Sequence, residues 1–183
     1  MSNIAIIYKS KYGSTKKYAE WIAQETKADL FDSSKIDIQK LMDYDTIVYG
    51  GGIYANGIAG ISAITKNYEK LKDKRIMVFT VGIASTDDKK AFLPIIEKNF
   101  SKEMRENIEF FHFRGEIDYK NLGIIHKSML TMLKAKSSKD GEKKISDEDI
   151  EILVVNKGKL DFKDKNSIEP LLLALEDQGR NVK

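Results

Sequence analysis

The chain has 183 residues, 42% hydrophobic and 32% charged, with a formal net charge of +3, which suits one domain-sized core and argues against an intrinsically disordered chain. Its basic residues are nearly all Lys, with Arg only at positions 75, 105, 114 and 180; solvated point charges of this kind argue against nucleic acid as a partner. The absence of Cys excludes a disulfide, a thiolate nucleophile and any Cys-held iron–sulfur or zinc centre, so redox chemistry would need a bound cofactor.

The opening Met1-Ser2-Asn3-Ile4 enters an apolar run without a basic leader region, and no apolar stretch nears about 18 residues. A cytoplasmic address is expected. Ile4 to Tyr8 is continuously apolar and β-branched, the pattern of a strand buried on both faces of a parallel sheet. A loop from Lys9 to Thr15 follows, and Tyr18, Ala19, Ile22 and Ala23 recur at helical spacing up to Thr26. A short strand is expected near Asp29 to Phe31, then a strong one at Thr46 to Tyr49 running into Gly50, Gly51 and Gly52. The spacing predicts a helix from Ile58 to Leu71, a buried strand from Ile76 to Val81 and a helix from Asp87 to Phe100 that must accommodate Pro94.

Glu109 to Phe113 reads as a fifth strand. From Tyr119 to Lys136, Leu122, Ile125, Met129, Met132 and Leu133 recur at helical spacing, with Lys120, Lys127 and Lys134 on another face. This basic amphipathic helix either covers the sheet or makes peripheral contact with a membrane at the inner face. Residues 137–144 are polar and predict a loop, residues 147–165 fit a helix, a strand or an added hairpin, and Asn166 to Glu176 predicts a closing helix. Strands alternating with helices specify a parallel sheet, and no linker divides the chain, so residues 1–183 are expected to form a single domain.

Ligands of such sheets bind outside the carboxyl ends of the strands, where strand order reverses. Three loops follow strands. Ser10, Lys11, Tyr12, Gly13, Ser14 and Thr15 offer hydroxyls, a Gly for close approach and a helix N-terminus that attracts an anion, which suits a terminal phosphate. The alternative is a helix cap rich in hydroxyls. Neither GxGxxG nor GxxxxGK[ST] follows the first strand, which counts against dinucleotide and nucleoside-triphosphate binding. Gly51, Gly52, Ile53, Tyr54, Ala55, Asn56 and Gly57 present an aromatic ring and an amide on a Gly-rich turn, and Thr80, Val81, Gly82, Ile83, Ala84 and Ser85 present small residues and backbone donors. A flat ligand fits between them. His112 lies mid-strand and His126 on a helix, far apart and without a carboxylate cluster, so no metal site is expected.

The first strand with its Ser10-to-Thr15 loop, the Gly-rich Tyr loop and the third loop together resemble a flavodoxin over residues 3–113. The resemblance implies a doubly wound five-stranded parallel sheet in the order 2-1-3-4-5 with a C-terminal extension, and FMN as cofactor. It assigns the phosphate to Ser10 through Thr15 and the flavin ring to the loops at Gly52 to Gly57 and Thr80 to Ser85. Tyr54 is read as a flavin contact in preference to a ring that merely covers the sheet end.

Phe113-Arg114-Gly115-Glu116-Ile117-Asp118-Tyr119 with the helix after it resembles, more narrowly, the flavodoxin-type menaquinone-dependent protoporphyrinogen dehydrogenases. That resemblance implies an FMN-dependent oxidoreductase serving a quinone or small-molecule substrate. The competing readings are a flavodoxin-type electron carrier between partner proteins and a flavin-free regulatory or binding domain. In either redox case the cofactor carries the chemistry, and no acid, base or nucleophile is assigned.

Overall fold

The structure is a computed structural model that describes residues 3–54, 57–83, 89–124, 127 and 157–177. In chain order its elements are β1 (Ile4–Lys9), α1 (Ser14–Thr26), β2 (Asp29–Asp32), β3 (Thr46–Tyr54), β4 (Gly57–Ile58), α2 (Ser62–Thr65) and α3 (Tyr68–Leu71). Then come β5 (Arg75–Gly82), α4 (Lys89–Asn99), α5 (Lys102–Asn107), β6 (Ile108–Arg114), β7 (Glu116–Asp118), β8 (Lys159–Asp161) and α6 (Glu169–Asp177). Short 3₁₀ turns occupy Ile38–Asp43, Tyr119–Asn121 and Lys165–Ile168.

Five strands pair in parallel in the order β2-β1-β3-β5-β6. Counting only the parallel strands, this is the 2-1-3-4-5 order expected. The apolar runs bury both faces because successive side chains alternate across the sheet. Ile7, Ile47, Tyr49, Ile76 and Val78 join one cluster with Ile64 of α2, Leu71 of α3 and Phe100 just after α4. Ile6, Val48, Met77, Phe79 and Val81 join the opposite cluster with Tyr18 and Ile22 of α1 and Leu171 of α6. The C-terminal helix is thus part of the core.

Two expectations are corrected. The single helix over Ile58 to Leu71 is instead β4 followed by two one-turn helices. Its apolar positions were spaced correctly, since Ile58, Ile61, Ile64, Tyr68 and Leu71 are all buried. What breaks the helix is Gly60 at φ +69° near its start and Asn67, whose side-chain amide donates to the Ala63 carbonyl at 2.9 Å and competes with the helical ladder. The helix expected from Tyr119 does not start there: Asp118 accepts from the Lys120 N–H at 3.0 Å, closing a 3₁₀ turn, and Leu122 is extended. Helical backbone is entered instead at Ile124, with the Lys127 N–H donating to the Gly123 carbonyl at 3.0 Å; residues 125, 126 (His126 among them) and 128–136, the polar loop 137–144 and residues 147–156 lie outside the described residues. The open question over residues 147–165 is answered in part by β8, which pairs antiparallel with β7.

The fully buried Tyr18 ties these parts together. Its hydroxyl donates to the Arg114 carbonyl at 2.8 Å and accepts from the Asp164 N–H at 3.1 Å. Tyr18→Phe leaves a part-buried carbonyl and N–H without that partner, and is expected to cost about 1–2 kcal/mol. A lowered urea midpoint with an unchanged slope checks it; an unchanged midpoint would refute it.

Candidate functional site

The first loop leaves β1 at Lys9 and enters α1 through Gly13, whose φ of +97° is a left-handed conformation that favours Gly. The Gly13 N–H donates to Ser10 Oγ at 3.1 Å, which closes the loop. The consequence for α1 is chemical. No side chain caps its N-terminus and no acidic residue occupies its first turn, so the positive end of its dipole is not offset by an acid of its own helix. Ser14 and Thr15 are buried beneath this turn, while Lys11 is exposed, with its ammonium 5.5 Å from the centre of the Tyr12 ring.

In the second loop the space beside the glycines is filled by the protein itself. The strand runs straight through Gly50, Gly51 and Gly52 to Tyr54, and Ile53 and Tyr54 pair antiparallel with Ile58 and Gly57. The missing Cβ positions are occupied by the protein's own atoms: the Phe79 ring over Gly50, Ile58 and the Ala59 carbonyl at Gly51, and the Tyr54 ring over Gly52. Tyr54 folds back toward the first loop, meets Tyr12 edge-on with ring centres 6.2 Å apart, and is bonded by the Lys11 backbone. Burial, reinforced by the neighbouring Tyr12, raises its hydroxyl pKa, and the Lys11 bond opposes the shift. Ala55 and Asn56 lie outside the described residues.

In the third segment Thr80 and Val81 are buried strand residues. Thr80 Oγ1 lies 2.8 Å from His112 Nδ1, and the His112 ring packs on Phe92 with centres 3.6 Å apart. Only Gly82 and Ile83 reach the rim, and Ala84 and Ser85 lie outside the described residues. A Cβ on Gly82 would come within 3.4 Å of Ile53, so the second and third loops touch. The second loop therefore meets both the first and the third at the carboxyl ends of β1, β3 and β5. The first two flank the point where strand order reverses.

The sequence reading missed the segment Arg114-Gly115-Glu116 as part of this site. The Arg114 guanidinium donates to the Ile83 carbonyl at 3.2 Å and lies 3.6 Å from the centre of the Phe162 ring. The Gly115 N–H donates to the Gly82 carbonyl at 2.7 Å, and the Glu116 N–H donates to Ser14 Oγ at 2.9 Å. One cue was available: a Gly immediately after a strand end. The partners from residues 157–164 were not legible, because they arrive from some 45 residues further along the chain.

The β7–β8 ribbon is held by charge. Lys163 pairs with Glu116 and, at 2.9 Å, with Asp161, and Lys159 reaches Glu116 at 3.1 Å. Burial would lower the Lys163 pKa, but Glu116 and Asp161 outweigh it and hold the pKa above its ordinary 10.5. Burial likewise raises that of Asp161, and the bonds from Lys163 outweigh this and hold it below 3.8. Asp161 thus stabilises the fold above its ordinary pKa and stops doing so as pH falls through the lowered value. Lys163 stabilises it below 10.5 and stops as pH rises through the raised value. The amide chemical shifts of Ile117 and Leu160 should hold steady from about pH 5 to about pH 9.5 and move together outside that window. A step near neutrality would refute the assignment.

A doubly wound sheet with a loop of backbone donors and hydroxyls at its switch point, and an uncapped helix behind it, defines a flavodoxin-like α/β protein. Consistent with this, the profile of the flavodoxin domain family matches residues 5–145, and the chain belongs to that family. Uncharacterized protein MJ0298 of Methanocaldococcus jannaschii is 32% identical over 120 residues, covering 61% of this chain and 70% of that protein. Among solved structures, oxidised flavodoxin 2 from Bacillus cereus is 20% identical, over 62% of this chain and 84% of that one, with a TM-score of 0.46. A flavoprotein in complex with FMN from Lactobacillus acidophilus NCFM is 19% identical, over 62% and 93%, with a TM-score of 0.41. Among the described residues no helix is long and apolar enough to cross a membrane.

Proposed function

We propose that the chain binds FMN at the convergence of its three loops and acts as a redox protein. The observation that carries this is the bare N-terminus of α1 behind the Ser10–Thr15 loop, in a chain of the flavodoxin domain family. The residues fit the group. Ser10, Gly13, Ser14 and Thr15 would hold the phosphate with hydroxyls and backbone N–H groups, while Tyr12 and Tyr54 bring aromatic surface beside it. Gly52, Ile53, Gly57, Gly82 and Ile83, with Ala55, Asn56, Ala84 and Ser85, would border the ring. Thr80 and Val81 support from beneath, as strand residues in the core.

FMN when bound supplies one- and two-electron transfer; the protein's own part is to orient it, exclude water and supply a fixed electrostatic setting. Residues 1–183 would work as one unit, because α6 buries Leu171 in the same cluster as Tyr18 of α1. The test is an absorbance spectrum from 300 to 700 nm after incubation with FMN and removal of free ligand. Retained flavin bands support the reading, and a colourless protein leaves a flavin-free binding domain as the function.

Within that reading we propose an oxidoreductase similar to the menaquinone-dependent protoporphyrinogen dehydrogenases, with a quinone as acceptor. Its support is the Phe113–Tyr119 resemblance and a basic chain, pI about 8.8, where electron carriers tend to be acidic for docking. One observation favours the carrier instead. Phe113 is buried and stacks on Tyr18 with centres 4.8 Å apart, so part of the stretch that carries the resemblance has a scaffold role. Turnover of protoporphyrinogen with a quinone acceptor would decide for the dehydrogenase. Transfer only when coupled to a reductase would decide for the carrier and its redox partner protein.

A further inference from the structure

Segment 114–116 touches both ends of the site, yet the proposed function gives it no part in holding the ligand. Segment 159–164 grips it in turn. The Phe162 N–H donates to the Gly115 carbonyl at 3.2 Å, the Phe162 ring carries the Arg114 guanidinium, and Lys159 and Lys163 pair with Glu116. Asp164 reaches the Arg114 carbonyl through the Tyr18 hydroxyl.

A serine hydroxyl has one donor hydrogen and two acceptor lone pairs. In Ser14 one lone pair is taken by the Glu116 N–H at 2.9 Å. That bond fixes the oxygen and leaves the O–H as a donor at the uncapped end of α1. Ser14 is only 9% exposed, so water competes weakly for this orientation. Gly115 makes the approach feasible, because a Cβ there would lie 2.9 Å from Val81 Cγ1 and 3.3 Å from both Cβ and Oγ of Ser14. Any larger residue pushes the Glu116 N–H away from Ser14.

We propose that residues 159–164, acting through Arg114, Gly115 and Glu116, position the Ser14 hydroxyl and thereby set the preference of this site for a phosphorylated flavin over its unphosphorylated counterpart. The inference rests on the FMN reading. It makes Gly115 and Glu116 positioning residues and gives the C-terminal extension a role in ligand selectivity, in addition to its packing.

The experiment is the dissociation constant of the full-length protein for FMN and for riboflavin, with circular dichroism confirming the fold of each variant. Gly115→Ala should weaken FMN about tenfold, the worth of one well-placed hydrogen bond, and leave riboflavin within about twofold. Lys163→Met, which leaves the packing around Ser14 in place, should lower the FMN-to-riboflavin preference about threefold, and Lys163→Arg should restore it. In a Ser14→Ala background, Gly115→Ala should change that preference no further. A merely structural role would weaken both flavins in parallel. Parallel loss, or an unchanged preference in Gly115→Ala and Lys163→Met, overturns this inference and leaves the proposed function standing. A wild-type protein that takes up neither flavin overturns both.

Discussion

Ser10→Asp is expected to lower FMN affinity by about 100-fold or more while leaving thermal stability nearly unchanged. Ser10 accepts the Gly13 N–H at 3.1 Å, and an Asp side chain accepts the same kind of bond, so the loop keeps its shape. A carboxylate there is also welcome beside the N-terminus of α1, where no acid is present in the first turn. What it adds is a fixed negative charge where the phosphate would sit. Two unit charges about 4 Å apart repel by about 4 kcal/mol at an effective dielectric of 20, and the phosphate carries nearly two. Even after solvent screening, about 2.7 kcal/mol survives as a 100-fold loss. Riboflavin, with no phosphate, should bind the variant about as well as the wild type. The thermal midpoint and the two dissociation constants check this together. A variant that binds FMN normally would move the anion site away from this loop.

The parts of this fold that were legible in the sequence are those whose signal is local. β1, β3 and β5 each announce themselves as short apolar runs, because a parallel strand is buried on both faces and has no polar side to disguise it. Likewise α1 is framed by the Gly13 turn and its own spacing of Tyr18, Ala19 and Ile22. The stretch after Gly57 was misread because apolar spacing reports which residues are buried, and burial does not require a continuous helix. Ile58 and Ile64 are buried equally well from a strand and from a single helical turn.

The candidate site was legible in the same uneven way. Its first loop could be read because a turn, a glycine and two hydroxyls stand in consecutive positions before a helix. The ribbon formed by Glu116–Asp118 and Lys159–Asp161 could not, since its register joins residues about 43 apart, and the ion pairs of Lys159 and Lys163 with Glu116 are similarly distant in sequence. Strands of three residues carry too little pattern to announce a partner. The glycines at positions 50, 51 and 52, whose open sides face Phe79, Ile58 and Tyr54, carry a related limit. A glycine shows that something comes close, and does not say what.

Gly50 turns that last point into the largest expected loss of stability. A Cβ on Gly50 would lie 2.1 Å from Phe79 Cζ, in a side chain that is fully buried on the opposite face cluster with Met77 and Phe113. The ring cannot rotate out of the way, because its neighbours include Phe113 with centres 5.4 Å apart. Gly50→Ala should therefore cost about 3 kcal/mol or more, at the upper end of overpacking penalties. Phe79→Leu alone removes the ring atoms that would clash and leaves a void, at about 1–3 kcal/mol. In the double variant the added methyl enters that void, so the two costs should fall short of their sum by at least about 1 kcal/mol. Denaturant unfolding of the four proteins measures the cycle. Strict additivity would mean that β3 shifts away from β5 to admit the methyl. FMN affinity would then fall in Gly50→Ala along with stability, since Gly50 and Phe79 are paired partners in β3 and β5, the strands that deliver the second and third loops to the site.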